Sequence, residues 1–404
     1  MFLDTFIVSR LKKHWNGPVF TLISNGKEAK IGNGEGNLKV ILKGQYTLDK
    51  IALSPSLGFG EAYMSGEAVV EGDIMALFQG FQQSPYIVPG FVRTIRRWLR
   101  FLPISISSGV NNAQHHYDIG NDFYGLWLDT TRTYTCAYFL HDDDSLEDAQ
   151  YQKNDLVCKK IRLEKGMTML DIGCGWGGAL FHAALYYGAN VTGVTPAKEQ
   201  ATFILDKAKK LGIEDRVHVI VEDWRELQKL PMNTKFDRII SIGMFEHVGR
   251  AQFARFFALW KRLLSDEGVS LLHTIGATND ENSGQDPWIQ KYIFPGGYIP
   301  LLREIIAGAS HVHLQVVDCE NLWQHYAKTL HHWNANVESH KNEVVDMFDE
   351  QFYRMWTLYL QSCEAGFAWG DLQLFQTVLL GKDAVWPLNR EVGAERIKKI
   401  DKTV

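Results

Sequence analysis

A carboxylate, an imidazole and a run of glycines carry most of the chemistry open to this sequence. In LDIGCGWGG, residues 170–178, Asp171 closes an apolar run and Gly173, Gly175, Gly177 and Gly178 follow it. Glycines there let a turn pass close to a ligand, and a helix starting just beyond aims its N-terminal N–H groups at the same point. Further on, Glu246 in GMFEHVG follows another apolar run, and His273 in LLHTIG ends one more. A carboxylate and an imidazole at one edge of a sheet can fix a small polar group and move its proton. Taken singly, each has a plainer reading: Glu246 as a partner for Arg250, His273 as a satisfied core histidine.

Positioning these groups takes a sheet, and the sequence has the runs for one. TMLDIG (168–173), NVTGV (190–194), VHVIV (217–221), DRIISIG (237–243) and VSLLHTI (269–275) have strand character, with helical segments between them. The first helix starts near Ser145, where S-L-E-D fits a capping box, and runs to about Leu163. Strands alternating with helices predict a doubly wound, Rossmann-like α/β fold with a mainly parallel sheet. Asp-x-Gly-x-Gly-x-Gly after the first strand is the form of the turn used by S-adenosylmethionine (SAM)-dependent methyltransferases, not the dehydrogenase form. Ligands of such sheets lie beyond the carboxyl ends of the strands. That edge offers Thr195 and Gln200 after the second strand, and Asp223 and Trp224 after the third. An Asp beside a Trp can hold an adenine amino group and cover the ring. No acid ends the second strand, so ribose hydroxyls would need Gln200 instead.

The first part of the chain reads differently. Residues 17–55 alternate like a small sheet with turns, and SLGFGEAYMSGEAVVEGDIMALFQGF follows. This predicts a smaller α+β N-terminal domain over 1–104 and a catalytic domain over 105–404. In FVRTIRRWLRFL, Phe91 to Leu102, four arginines (93, 96, 97 and 100) share one helical face and Val92, Ile95, Leu99 and Leu102 lie opposite. That pattern suits a helix lying in a membrane surface, and equally a linker helix with a solvated basic face.

Composition excludes several classes. The chain has 404 residues and a net charge of −5, with no global basic signature, so nucleic acid is not an expected partner. Five cysteines form no CxxC pair, which suits a reducing compartment. No HExxH or similar spacing suggests a metal site. Without a secretory signal or a spanning apolar run, the expected location is the cytoplasm, with contact at the inner membrane face only.

Six peptides in unbroken order carry a resemblance. They are HHYDIGNDFY (115–124), TYTCAYF (133–139), GMFEHVG (243–249), LLHTIG (271–276), DPWIQKYIFPGG (286–297) and HYAKTL (325–330). Residues 106 to about 380 thereby resemble the cyclopropane-fatty-acyl-phospholipid synthases and their relatives, the mycolic acid cyclopropane synthases. SLGFGEAYMSGE (56–67) resembles the N-terminal region of the phospholipid enzymes, which favours a phospholipid substrate. The resemblance implies transfer of a methylene group from SAM to the double bond of unsaturated acyl chains. It implies a bicarbonate site lined by Cys136, Glu246, His273 and Tyr326 with the backbone around Ile275. It also implies that Tyr134 and Thr135 touch SAM, that Cys363 is structural, and that the N-terminal region docks on lipid and supports a homodimer. An acyl methyltransferase making a branched product, a small-molecule N-methyltransferase and a non-catalytic lipid or SAM binder remain as alternatives.

Overall fold

The structure is a computed structural model and describes residues 2–44, 46–84, 120–279 and 286–387. The described residues divide into two units. One takes those up to residue 84 together with 286–295 and 330–371; the other takes 120–279, 296–329 and 372–387. The two units therefore do not follow a single boundary at 104–105, because two later segments belong with the N-terminal one.

In the N-terminal unit, strands β1 (Phe20–Ser24), β2 (Lys27–Ile31), β3 (Leu38–Leu42) and β4 (Ala68–Glu71) form a sheet in the order β2-β1-β3-β4. Strand β1 runs parallel to β3 and antiparallel to β2. Asn25 and Gly26, both at positive φ, make the tight turn between β1 and β2, as expected of Asn-Gly in a hairpin. The edge strand β2 carries exposed Lys27, Glu28 and Lys30, which discourages pairing with other chains. Phe20, Leu22, Ile31, Leu38, Val40 and Leu42 pack with Leu11 and Trp15 from the chain start. Residues 47–53 form a helix, Thr47–Leu53, where strand was expected, and it turns Leu48 into this core. The helix Phe2–His14 and strand β4 also went unread. Trp288 seats directly on Gly60, where a Cβ would lie 2.3 Å from the indole. This fit is one reason why 286–295 belongs with this unit.

The second unit holds the expected parallel sheet. Its strands are β5 (Thr168–Ile172), β6 (Asn190–Val194), β7 (Val217–Ile220), β8 (Phe236–Ile242), β9 (Leu264–Gly276), β10 (Gln315–Asn321) and β11 (Gln373–Leu380). They lie in the order β10-β11-β9-β8-β5-β6-β7, and only β11 runs against the rest. The last two strands were not read from the sequence. One face buries Leu180, Ala183, Ile204 and Val157 from helices Gly178–Tyr186, Lys198–Lys210 and Leu146–Lys160. The other buries Phe256, Phe257, Trp260 and Ile305 from helices Phe253–Leu263 and Leu302–His311. The chain winds outward from β5 to β7 and then returns to place β8 on the other side of β5. Ligands bind at this reversal, beyond the carboxyl ends of β5 and β8. Ser145 caps the helix Leu146–Lys160 as expected, its hydroxyl accepting from the Asp148 N–H at 3.1 Å.

Candidate active site

The glycine turn after β5 is built for close approach. Gly173 (φ 89°) donates to the Val194 carbonyl at 3.0 Å, and its Cα faces Met244 so closely that a Cβ would lie 2.6 Å from that side chain. Gly175 (φ 53°) faces open space, with no protein atom within 4 Å of where its Cβ would be. Packing thus demands the first glycine, whereas the second has open space beside it. Asp171 is buried at the end of β5, and one carboxylate oxygen has no partner there. Burial pushes its pKa up to about 7, against the pull of Lys153. Beyond β6, Thr195 donates to Gln200 at 2.6 Å and leaves the buried Gln200 amide nitrogen without a partner. That free donor suits the ribose role read from the sequence.

Asp223 and Trp224 are placed less simply. Strand β7 stops at Ile220, and Asp223 caps the short helix Trp224–Lys229. Its carboxylate grips Arg225 in a bidentate pair, at 2.6 and 3.1 Å. Trp224 packs edge-on to Phe256 at 5.3 Å in the apolar core. By these contacts Trp224 is a core aromatic of this face of the sheet.

The segment carrying Tyr134, Thr135 and Cys136 is organised by one buried acid. Asp129 accepts from the backbone N–H groups of Thr131 (2.9 Å) and Thr133 (2.7 Å) and from the Thr131 hydroxyl. Tyr134 then packs tilted against Tyr124 and edge-on to Trp127, at 5.6 and 5.2 Å between ring centroids. Thr135 lies over Gly243 and accepts from the Lys153 ammonium at 3.3 Å. The Cys136 thiol is fully buried and donates to the Ala137 carbonyl at 3.1 Å, and burial raises its pKa, so it stays a thiol. Helix Trp323–Ser339 closes on this segment. Thr329 accepts from the Ala137 N–H at 3.0 Å, and His325 from that of Phe139 at 3.1 Å. Half-buried Tyr326 sits in the same turn, its N–H bonded to the Leu322 carbonyl that Cys136 also reaches.

Glu246 and His273 lie on neighbouring segments at the ends of β8 and β9. Glu246 lies in a short turn of helix after β8, and His273 lies on β9 beside the end of β8. Glu246 accepts from the Ile275 N–H at 2.6 Å, so that backbone group serves to aim the carboxylate. Its other oxygen is buried without a partner, and burial raises its pKa to about 7. Arg250 pairs with Glu304 at 2.7 Å and not with Glu246, which removes the plainer reading of that acid. His273 is buried, and burial with the nearby charges of Lys153 and Lys160 holds its pKa well below the usual range. It is a neutral imidazole whose Nε2 has no partner. A small oxyanion with one hydroxyl needs an acceptor and a donor, and these two orphaned atoms fit that need.

One residue at the centre was missed. Lys153, on helix Leu146–Lys160, is 1 % exposed, and its pKa falls to about 8 through burial. Its charge acts on Asp129, Cys136, Asp171 and His273, so the separate motifs converge around one ammonium. A lysine on a polar helix face reads as solvated in any sequence, and only tertiary structure buries it. Tyr298 donates its N–H to the Glu246 carbonyl. Tyr292, Phe294 and Cys363 belong to the other unit. The basic segment 91–102 lies outside the described residues.

Comparison with known proteins gives the family of the chain. A family model described as mycolic acid cyclopropane synthetase matches residues 105–377, and a domain family of unknown function matches 6–85. The chain is 36% identical to the cyclopropane-fatty-acyl-phospholipid synthase of Escherichia coli over 353 residues, 86% of this chain and 88% of that one. It is 40% identical to a probable fatty acid methyltransferase of Pseudomonas putida over 268 residues, 65% of this chain and 67% of that one. The cyclopropane synthase MmaA2 from Mycobacterium tuberculosis superposes with a TM-score of 0.62 at 35% identity, covering 67% of this chain and 97% of that one. Mycolic acid cyclopropane synthase CmaA1, solved with SAH and CTAB, gives the same TM-score at 36% identity, with the same shares covered. With this family model over residues 105–377 and these relatives along most of its length, the chain belongs to the mycolic acid cyclopropane synthetase family of SAM-dependent enzymes.

Proposed function

We propose that this enzyme transfers a methylene group from SAM to the cis double bond of unsaturated acyl chains in membrane phospholipids, with bound bicarbonate as the base. One observation carries the bicarbonate part: the partnerless Glu246 oxygen and His273 Nε2, both buried at the ligand edge of the sheet. The phospholipid part is supported by likeness to the Escherichia coli enzyme along 88% of its length, N-terminal region included.

SAM supplies an electrophilic methyl group, and bicarbonate a weak base beside it. An alkene is a poor nucleophile, and its attack on that methyl would break the S–CH3 bond, release S-adenosylhomocysteine with the bonding pair, and leave a cation on the acyl chain. Loss of a proton from the transferred carbon then closes the ring. Glu246 and His273 would hold the base by hydrogen bonds, with the Tyr326 hydroxyl as a further donor and buried Cys136 as part of the wall. Glu246, with a pKa near 7, is suited to take up the released proton near neutral pH. The burial of Glu246, His273 and Cys136 keeps out water, which would otherwise capture the cation as an alcohol.

Purified protein, unsaturated phospholipid liposomes, SAM and bicarbonate make the direct test. Chains that gain CH2, lose their vinyl protons and show high-field ring protons are the expected product. A saturated methyl branch would move the assignment to the reaction suggested by the Pseudomonas putida relative's name. No SAM-dependent change in any lipid would end the proposal.

Phe91 to Leu102 is proposed as the contact with the membrane's inner face, and a homodimer as the working form. Replacing Arg93, Arg96, Arg97 and Arg100 by glutamate is expected to abolish sedimentation with anionic liposomes while SAM binding persists. Unchanged sedimentation would remove this segment as the anchor.

A further inference from the structure

Between the sheet and the helix Leu146–Lys160 runs a chain of buried polar groups that no motif announces. Lys160, 3 % exposed, is paired with Glu320 on β10 and donates to the Gln376 side-chain oxygen at 2.7 Å. Gln376, fully buried on β11, stands opposite His273 in the strand register. Its side-chain nitrogen lies 3.2 Å from His273 Nδ1.

The hydrogen bonds along this chain run in only one direction. An ammonium can only donate, so Lys160 fixes which end of the Gln376 amide faces it. The reversed amide would set NH2 against NH3+ in a buried place, two donors facing each other with no acceptor between them. The Gln376 NH2 therefore faces His273 and donates, and Nδ1 must accept. Since the imidazole is neutral, its proton is on Nε2, the atom without a protein partner.

We propose that Lys160 and Gln376 are positioning residues that lock His273 in the Nε2–H tautomer, so that the imidazole only donates into the buried site it shares with Glu246. This rests on the reading of that site as an oxyanion site. It divides the labour there. His273 holds a bare oxygen of the anion, and Glu246, whose free oxygen can only accept when ionised, faces the hydroxyl. Proton uptake falls to Glu246 alone.

The test reads the tautomer directly, without ligand or turnover. The full chain is labelled with 15N-histidine, and the His273 signals are assigned by their loss in a His273→Gln variant. Wild type is expected to show protonated Nε2 and bare Nδ1. In Gln376→Glu the carboxylate keeps Lys160 paired but accepts from Nδ1, so the proton should move there. Burial and the two nearby lysines oppose a second proton on the ring. The apparent KM for bicarbonate should then rise at least tenfold, with the Kd for SAM changed less than twofold. Lys160→Met, which frees Gln376 to turn over, should give a mixture of both tautomers, and it decides the matter if the first variant does not fold. A wild-type signal with Nδ1 protonated, or tautomers unmoved in both variants, would overturn the proposal. Wild-type turnover indifferent to bicarbonate would instead end the oxyanion reading and leave the tautomer result standing.

Discussion

Glu246→Gln is expected to stop turnover and yet make the ligand-free protein more stable. Loss of a positioned proton acceptor costs roughly 10²–10⁴-fold in rate, while SAM binding at the glycine turn should persist. Stability moves the other way because the native carboxylate is held in a place that penalises its charge. Its pKa rises from 4.5 unfolded to about 7 folded, so between those values the folded state binds the extra proton. The penalty is absent below pH 4.5, grows as pH rises, and is complete above about 7. There it amounts to roughly 3 kcal/mol. Glutamine keeps the bond from the Ile275 N–H and carries no charge. Melting temperatures of the two proteins should coincide near pH 4.5 and separate in favour of the variant at pH 8. A variant less stable at pH 8 would show that the carboxylate is satisfied in the native protein. That result would remove the orphaned oxygen on which the function rests.

The two glycines of the turn should respond in opposite ways. Gly173→Ala forces a side chain into φ 89° and against Met244, two residues from Glu246. Backbone strain and overpacking together cost roughly 3 kcal/mol, and a displaced Met244 should disturb Glu246 as well. Low stability and low activity are both expected, seen by thermal unfolding and product analysis. Gly175→Ala meets no protein atom, and its φ of 53° is one that non-glycine residues adopt at a cost of about 1 kcal/mol. The variant should fold nearly as well as wild type but bind SAM at least tenfold more weakly by calorimetry. Full SAM affinity in Gly175→Ala would mean that the open space beside the turn is not where the ligand lies.

The parts of the fold legible in the sequence were those with a periodic or local cause. Strands β5 to β9 are apolar runs because both faces of a parallel sheet are covered. The Gly173–Gly178 turn and the Ser145 cap depend on backbone conformations that few residue types supply. Strand β11 was missed because QLFQTVLL places Gln376 and Thr377 in the core, where polar residues argue against burial. Residues 47–53 were misread because a seven-residue helix is too short for its period to stand out. In the site, Glu246 and His273 were legible because they follow strands at the ligand edge. Lys153, Lys160 and Gln376 were not, although all three are buried. The helix Leu146–Lys160 hides Gln150, Lys153, Asn154 and Lys160 from water, and by polarity alone that face reads as solvated. Such failures of patterning are expected where a buried polar network serves function. The backbone at Ile275, expected to line the site, also donates its N–H to Glu246, a link that no spacing in the sequence announces.

The interleaving of the two units bears on how the chain is made. Strand β9 pairs with β11 across about a hundred residues, His273 with Gln376 among them. More than half of the residues between these strands belong to the two segments that fold with the N-terminal unit. A ribosome releasing this chain therefore delivers the central sheet before its closing strand exists. The unpaired edge of β9 must wait until the excursion into the first unit has been synthesised. A fragment beginning at residue 105 would carry 286–295 and 330–371 without the residues they pack against, and Trp288 would lose its seat on Gly60. Nascent chains stalled before residue 373 should be those that chaperones bind and proteases cut, and the catalytic half should resist expression on its own.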